Sequence, residues 1–195
     1  RDFLLRLIER LDLRRITLVC QDWGGILGLT LPLEMPERFE RLLVMNTSLG
    51  TGDKLSEGFV AWRAYMAKNP DLDVGKLMGR SCPQLSPAEV AACAAPWPDQ
   101  AHKAGVRRFP QMVPDNPEAE GAEISRRARD WWQNDWSGQT FMAVGMQDPV
   151  LGPPVMAALR KCIKNCPEPH EVAEAGHFVQ EWGDDVASAA LAAFA

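Results

Sequence analysis

The chain has 195 residues, 46% of them hydrophobic and 24% charged, which suits one domain with a sizeable core. Its net charge of −5 leaves no basic footprint for nucleic acid. No apolar run approaches the roughly 20 residues that a helix needs to cross a bilayer, so no membrane partner is expected.

The cysteines, Cys20, Cys82, Cys93, Cys162 and Cys166, are odd in number and scattered, which argues against a disulfide framework. Cys162 and Cys166 share one face if their segment is helical, but only His170 lies close enough to join them, and no metal site is expected. Reduced cysteines in a cytoplasmic protein are the expectation.

Residues 2–11 carry Phe3, Leu4, Leu7, Ile8 and Leu11 at helical spacing. Residues 16–20 are apolar and β-branched, the pattern of a buried strand. A sharp turn follows at Gln21-Asp22-Trp23, and then Gly24-Gly25 opens a helix over 24–33 that Pro36 ends. A second strand covers 42–46. Strand, helix, strand is a βαβ unit, and such units build parallel sheets. From 49 to 129 the chain has many prolines, several short helical patterns and no strand. The strand pattern resumes at 140–145, followed by a helix over 156–163, a short strand over 169–173 and an alanine-rich helix over 184–194. The class is α/β: a mostly parallel sheet in 1–48 and 130–195, interrupted by a helical insertion in 49–129.

Three residues after strands form a candidate catalytic set. Asp22 sits where a strand–turn–helix elbow presents its nucleophile. A carboxylate there can attack saturated carbon and leave an ester for water to cleave. Asp148 follows the strand that ends at Gly145, and His177 follows the last short strand. The order nucleophile, acid, histidine is that of the α/β-hydrolases, and open α/β sheets place their sites beyond the carboxyl ends of strands. Taken singly, Asp22 could be a helix N-cap, Asp148 a turn residue and His177 a loop histidine. Trp23 could be packing, yet an indole N–H only donates, and two such groups aimed into an apolar cavity would suit a halide ion.

Several separated motifs together resemble the haloalkane dehalogenases, most closely the subgroup with a Gln-Asp-Trp-Gly-Gly elbow. They are Gln21-Asp22-Trp23-Gly24-Gly25, Phe59-Val60-Ala61-Trp62, Ala94-Ala95-Pro96-Trp97, Gly105-Val106-Arg107-Arg108-Phe109-Pro110, Gly145-Met146-Gln147-Asp148 and Ala175-Gly176-His177-Phe178. The resemblance runs over nearly the whole chain and implies an α/β-hydrolase fold with a helical cap. It further implies Asp22 as nucleophile, His177 as base and Asp148 as its partner, with Trp23 and Trp62 binding halide. Phe59, Phe109, Pro110, Val113, Leu151 and Phe178 become candidates for lining the substrate pocket. The implied partners are a small apolar halogenated substrate, a halide ion and water, with no metal and no organic cofactor; a monomer is the default expectation. One departure is Cys20, two residues before the nucleophile, where many such elbows carry glycine.

Three rivals are weighed. An epoxide hydrolase would use cap tyrosines, typically two, and the chain has only Tyr65. A fluoroacetate-type dehalogenase would carry an arginine after the nucleophile, where Trp23 stands. A non-catalytic binding protein on the same fold is the rival from another class. The resemblance also implies several strands before the elbow, and a loop giving a second oxyanion-hole N–H, that are absent from this sequence. On that ground these 195 residues alone are expected to fold poorly.

Overall fold

A computed structural model describes residues 1–195. Its strands are β1 (Ile16–Gln21), β2 (Phe39–Met45), β3 (Gln139–Gly145) and β4 (His170–Val172). They form one four-stranded sheet in that spatial order, each neighbouring pair parallel, with Leu18 beside Leu42 and Val44 beside Met142. The helices are α1 (Asp2–Arg10), α2 (Trp23–Gly28), α3 (Glu57–Lys68), α4 (Val74–Ser81), α5 (Pro87–Ala94), α6 (Ala104–Met112), α7 (Ala122–Asn134), α8 (Pro153–Lys161) and α9 (Gly183–Ala193). No helix is long and apolar enough to cross a membrane.

Side chains alternate across a strand, so a sheet covered on both faces needs apolar residues in unbroken runs. That is how β2 and β3 read. Leu42, Val44, Met142 and Val144 enter a core with Ile8 of α1, Trp132 of α7 and Met156 and Leu159 of α8. Leu43, Met45, Phe141 and Ala143 enter a second core under Val186 and Ala190 of α9. Trp132 is buried, and its indole N–H donates to the Leu29 carbonyl at 2.7 Å. Helix α7 crosses residue 129, placing Ala128 and Trp132 in the core beside the sheet.

Three expectations from the sequence need correction. The helix over 24–33 is shorter, because α2 ends at Gly28 and Leu31–Leu33 form a 3-10 turn. Pro32 has no N–H to return to the Gly28 carbonyl, and its ring crowds that carbonyl. The helix over 156–163 starts earlier, at Pro153, and ends at Lys161. Its paired prolines occupy the first turn, where an N–H is not needed. Strand β1 is not buried throughout: Val19 is 56% exposed, because β1 is an edge and α9 covers the second face only over its neighbours. On α1, Ile8 is buried while Phe3, Leu7 and Leu11 are exposed.

An open, apolar edge strand is a template for pairing with another chain. Residues 1–195 produced alone are therefore expected to bind a hydrophobic dye and to elute as oligomers in size-exclusion chromatography. Val19→Lys is expected to shift that material toward monomer.

Candidate active site

Asp22 follows β1 directly, with φ 49° and ψ −124°, a left-handed conformation for a residue with a side chain. Strain of this kind costs about 1–3 kcal/mol and persists only where the surroundings enforce it. Here its N–H donates to the Asn46 carbonyl at 3.0 Å, and the Thr47 hydroxyl donates to its carbonyl at 2.6 Å. Helix α2 then leaves tightly against Thr47. A Cβ on Gly25 would lie 1.9 Å from Thr47 Oγ1, so only glycine fits. The Asp22 side chain makes no capping hydrogen bond, which disposes of the N-cap alternative, and it is 41% exposed. The Trp23 N–H, first of α2, has no backbone partner, as expected of a helix start.

The other two members meet this carboxylate at the same edge of the sheet. His177 Nδ1 lies 2.8 Å from Asp148 Oδ2, and His177 Nε2 lies 3.7 Å from Asp22 Oδ1. The Asp148 side chain is fully buried and fully partnered. Its Oδ1 accepts the N–H groups of Val150 at 2.8 Å and Leu151 at 3.1 Å. Its Oδ2 accepts from His177 and, at 3.0 Å, from Asn46 Nδ2. Burial would push this carboxyl up, but the hydrogen bond and charge of His177, with Asn46 and the Val150 N–H, hold it below the usual carboxylate range. Burial would push the His177 imidazole down. The hydrogen bond and charge of Asp148, then the charge of Asp22, outweigh that and hold it above an ordinary histidine.

Two polar residues in this network escaped the sequence reading. Asn46, wholly buried, bridges Asp148 and the Gly145 backbone; its Oδ1 accepts the Gly145 N–H at 2.8 Å. A lone asparagine closing an apolar strand was the available signal. Gln21 reaches His177 from β1, its Nε2 at 2.9 Å from the His177 carbonyl and 3.1 Å from Nε2. Cys20, in contrast, lies in the core, and burial pushes its thiol up to about 12.

A cavity of about 480 Å³ opens beside Asp22, between the 48–56 loop, α3 and α8. Phe59, Val113 and Leu151 line it. Phe109, Pro110 and Phe178 do not line it. Phe109 meets the Trp23 ring edge-on at 5.1 Å, Pro110 is buried within α6, and Phe178 sits edge-on to His177 at 5.2 Å. Trp62 lies outside this lining too, stacked on Tyr65 at 6.0 Å. Trp132 and Trp136 spend their indole N–H groups on Leu29 and Thr140, whereas those of Trp23, Trp62, Trp97, Trp131 and Trp182 have no partner within the protein, and Trp23, like Trp62, is outside the cavity lining.

The parallel sheet carries a strained acidic elbow and a histidine–carboxylate pair at its strand ends. The profile of the alpha/beta hydrolase fold matches residues 1–184, and the chain belongs to that family. Its curated relatives include a haloalkane dehalogenase of Psychrobacter cryohalolentis, 38% identical over 180 residues that make up 89% of this chain and 58% of the relative. Another, from Mycolicibacterium paratuberculosis, is 33% identical over 184 residues, 92% of this chain and 60% of the relative. Among solved structures, the haloalkane dehalogenase DpaA of Paraglaciecola agarilytica NO2, described as tetrameric, superposes with a TM-score of 0.96. That match is 47% identical and covers 99% of this chain and 65% of DpaA. The chain thus spans about 58–60% of the length of these curated relatives.

Two outcomes are expected from this geometry. Gly25→Ala is expected to destabilise the full-length protein by at least about 2 kcal/mol, read by urea denaturation, because the new methyl overlaps Thr47. Asp148→Asn is expected to cost about 1–3 kcal/mol, with a pH dependence of fixed sign. The Asp148 contribution is present above about pH 4 and fades as pH falls through its lowered value; the His177 contribution is present below about pH 6.5 and fades as pH rises through its raised value. The stability gap between wild type and Asp148→Asn is therefore expected to be widest between about pH 4 and 6.5 and to narrow on both sides.

Proposed function

We propose that the full-length protein is a haloalkane dehalogenase, which cleaves carbon–halogen bonds of small apolar haloalkanes to give an alcohol, a halide ion and a proton. The observation that carries this reading is a carboxylate without a hydrogen-bond donor, held on an elbow 3.7 Å from a histidine–aspartate pair. Such a group is free to attack carbon. A serine there would need its proton removed first, and a carboxylate does not.

In the first step an Asp22 oxygen forms a bond to the halogen-bearing carbon as the carbon–halogen bond breaks. The halide leaves with the electron pair; the resemblance assigns it to the indole N–H groups of Trp23 and Trp62, neither of which lines the cavity beside Asp22 in this arrangement. In the second step His177 Nε2 takes a proton from water, and the water oxygen attacks the carbonyl carbon of the Asp22 ester. The Trp23 backbone N–H is one donor to the resulting oxyanion. Collapse releases the alcohol and leaves the water oxygen on Asp22, with one proton released per halide. Asp148 orients His177 and answers its charge. The helices of 49–129 act as a cap over the cavity, where Phe59, Val113 and Leu151 present apolar walls.

The epoxide hydrolase reading finds no second support. Tyr65, the lone tyrosine, is 41% exposed and does not line the cavity. We also read the protein as a cytoplasmic monomer. Sedimentation velocity of the full-length protein checks the assembly, against DpaA, which is described as tetrameric.

With His177→Gln in the full-length protein, short bromoalkanes are expected to release one bromide per molecule of enzyme. An alkyl group should then appear by mass on the Asp22 peptide, with steady turnover reduced by about 10²–10⁴-fold. One turnover of the wild type in ¹⁸O-water is expected to place the label on Asp22. Absence of both adduct and label from folded protein, with bromoalkanes as substrate, would sink the dehalogenase reading. An adduct formed only with epoxides would replace it.

A further inference from the structure

Gln21 is not among the residues assigned a role above, yet its side chain touches the working nitrogen of His177. We propose that Gln21 is a positioning residue that fixes the tautomer of His177 and opposes protonation of Nε2; this rests on reading His177 as the base of ester hydrolysis.

The argument is one of donors and acceptors. The Gln21 amide nitrogen is 2.9 Å from the His177 carbonyl oxygen, which can only accept, so the amide presents its NH₂ group and not its oxygen. That same NH₂ group lies 3.1 Å from His177 Nε2 and can only donate. Nε2 therefore carries the lone pair, and the ring proton sits on Nδ1, facing Asp148 Oδ2 at 2.8 Å. Asp148 alone does not secure this state, because the doubly protonated ring also has a proton on Nδ1. Both charged groups that face the ring, Asp148 and Asp22, favour that cation. Gln21 distinguishes the two states, since a proton on Nε2 would meet an amide N–H head-on. The amide cannot simply turn over to offer its oxygen, because two carbonyl oxygens would then face each other at His177. The contact thus keeps Nε2 unprotonated against two carboxylates that favour the cation, and water displaces the Gln21 N–H from Nε2 when it gives up its proton.

The experiment is nitrogen-15 NMR of histidine-labelled full-length protein, with the His177 signals assigned by their loss in His177→Gln. Neutral His177 in the wild type is expected to be protonated on Nδ1. Gln21→Met keeps the side-chain length and removes the donor. Its His177 midpoint is expected to rise by up to about one pH unit, the size of one hydrogen bond. Gln21→Glu, which offers an acceptor, is expected to raise it further. The acidic limb of the kcat–pH profile for a bromoalkane should move upward by the same amount in Gln21→Met, while the pH dependence of first-turnover bromide release does not follow it. A neutral wild-type ring protonated on Nε2, or a Gln21→Met midpoint equal to or below that of the wild type, would overturn the proposal. The NMR arms need no haloalkane turnover. A wild type that never releases bromide would therefore sink the dehalogenase reading while still deciding the role of Gln21.

Discussion

A buried carboxylate is tolerable only when its charge is answered, and the arrangement of this site follows from how Asp148 meets that demand. Four donors converge on it: two backbone N–H groups of its own turn, the Asn46 amide and His177. The turn donors set the carboxylate's position relative to β3. Asn46, fixed to the Gly145 backbone, ties it to β2. With both lone-pair edges occupied, the carboxylate cannot rotate, and the imidazole that leans on it inherits its orientation.

The parallel sheet brings these groups together. Side chains from residues far apart in sequence meet because each lies just past the carboxyl end of a strand. Asp22 follows β1, Asn46 follows β2, Asp148 follows β3 and His177 lies beyond β4. The apolar runs of β2 and β3, filling the cores on both faces, hold those ends in register. Packing and chemistry are coupled at the elbow, where the Thr47 hydroxyl supports the strained Asp22 backbone and leaves no room for a side chain on Gly25.

Much of this arrangement is legible in the amino-acid sequence. Strand patterns, the helical insertion and the three members of the candidate set follow from local signals: apolar runs, a glycine-lined turn, and polar residues placed just after strands. What is not legible depends on neighbours. Nothing in the run 16–20 says that one side of Val19 lacks a covering helix. Helix 24–33 misleads because its apolar pattern continues past Pro32 while its hydrogen bonds cannot. Asn46 and Gln21 look like ordinary strand ends, and their roles emerge only when the next strands bring Asp148 and His177 within reach. Phe109, Pro110 and Phe178, carried over by motif, sit beside Trp23, within α6 and beside His177, positions set by packing between elements that the motifs do not encode.

Two aspartates meet one histidine here, and hydrogen bonding and burial separate their parts. Asp148 has no lone pair to spare: every edge is occupied, its side chain is wholly buried, and no substrate carbon could approach it. Asp22 is the opposite case. Its backbone is held rigidly while its carboxylate accepts from no protein donor, remains 41% exposed and borders the cavity. In the proposed reaction the nucleophile must be desolvated enough to react and unbonded enough to move toward carbon, whereas the orienting acid must do neither. Exchanging the two environments would leave the composition of the site unchanged and abolish its logic: the buried carboxylate could not reach a substrate, and the exposed one could not hold an imidazole in place.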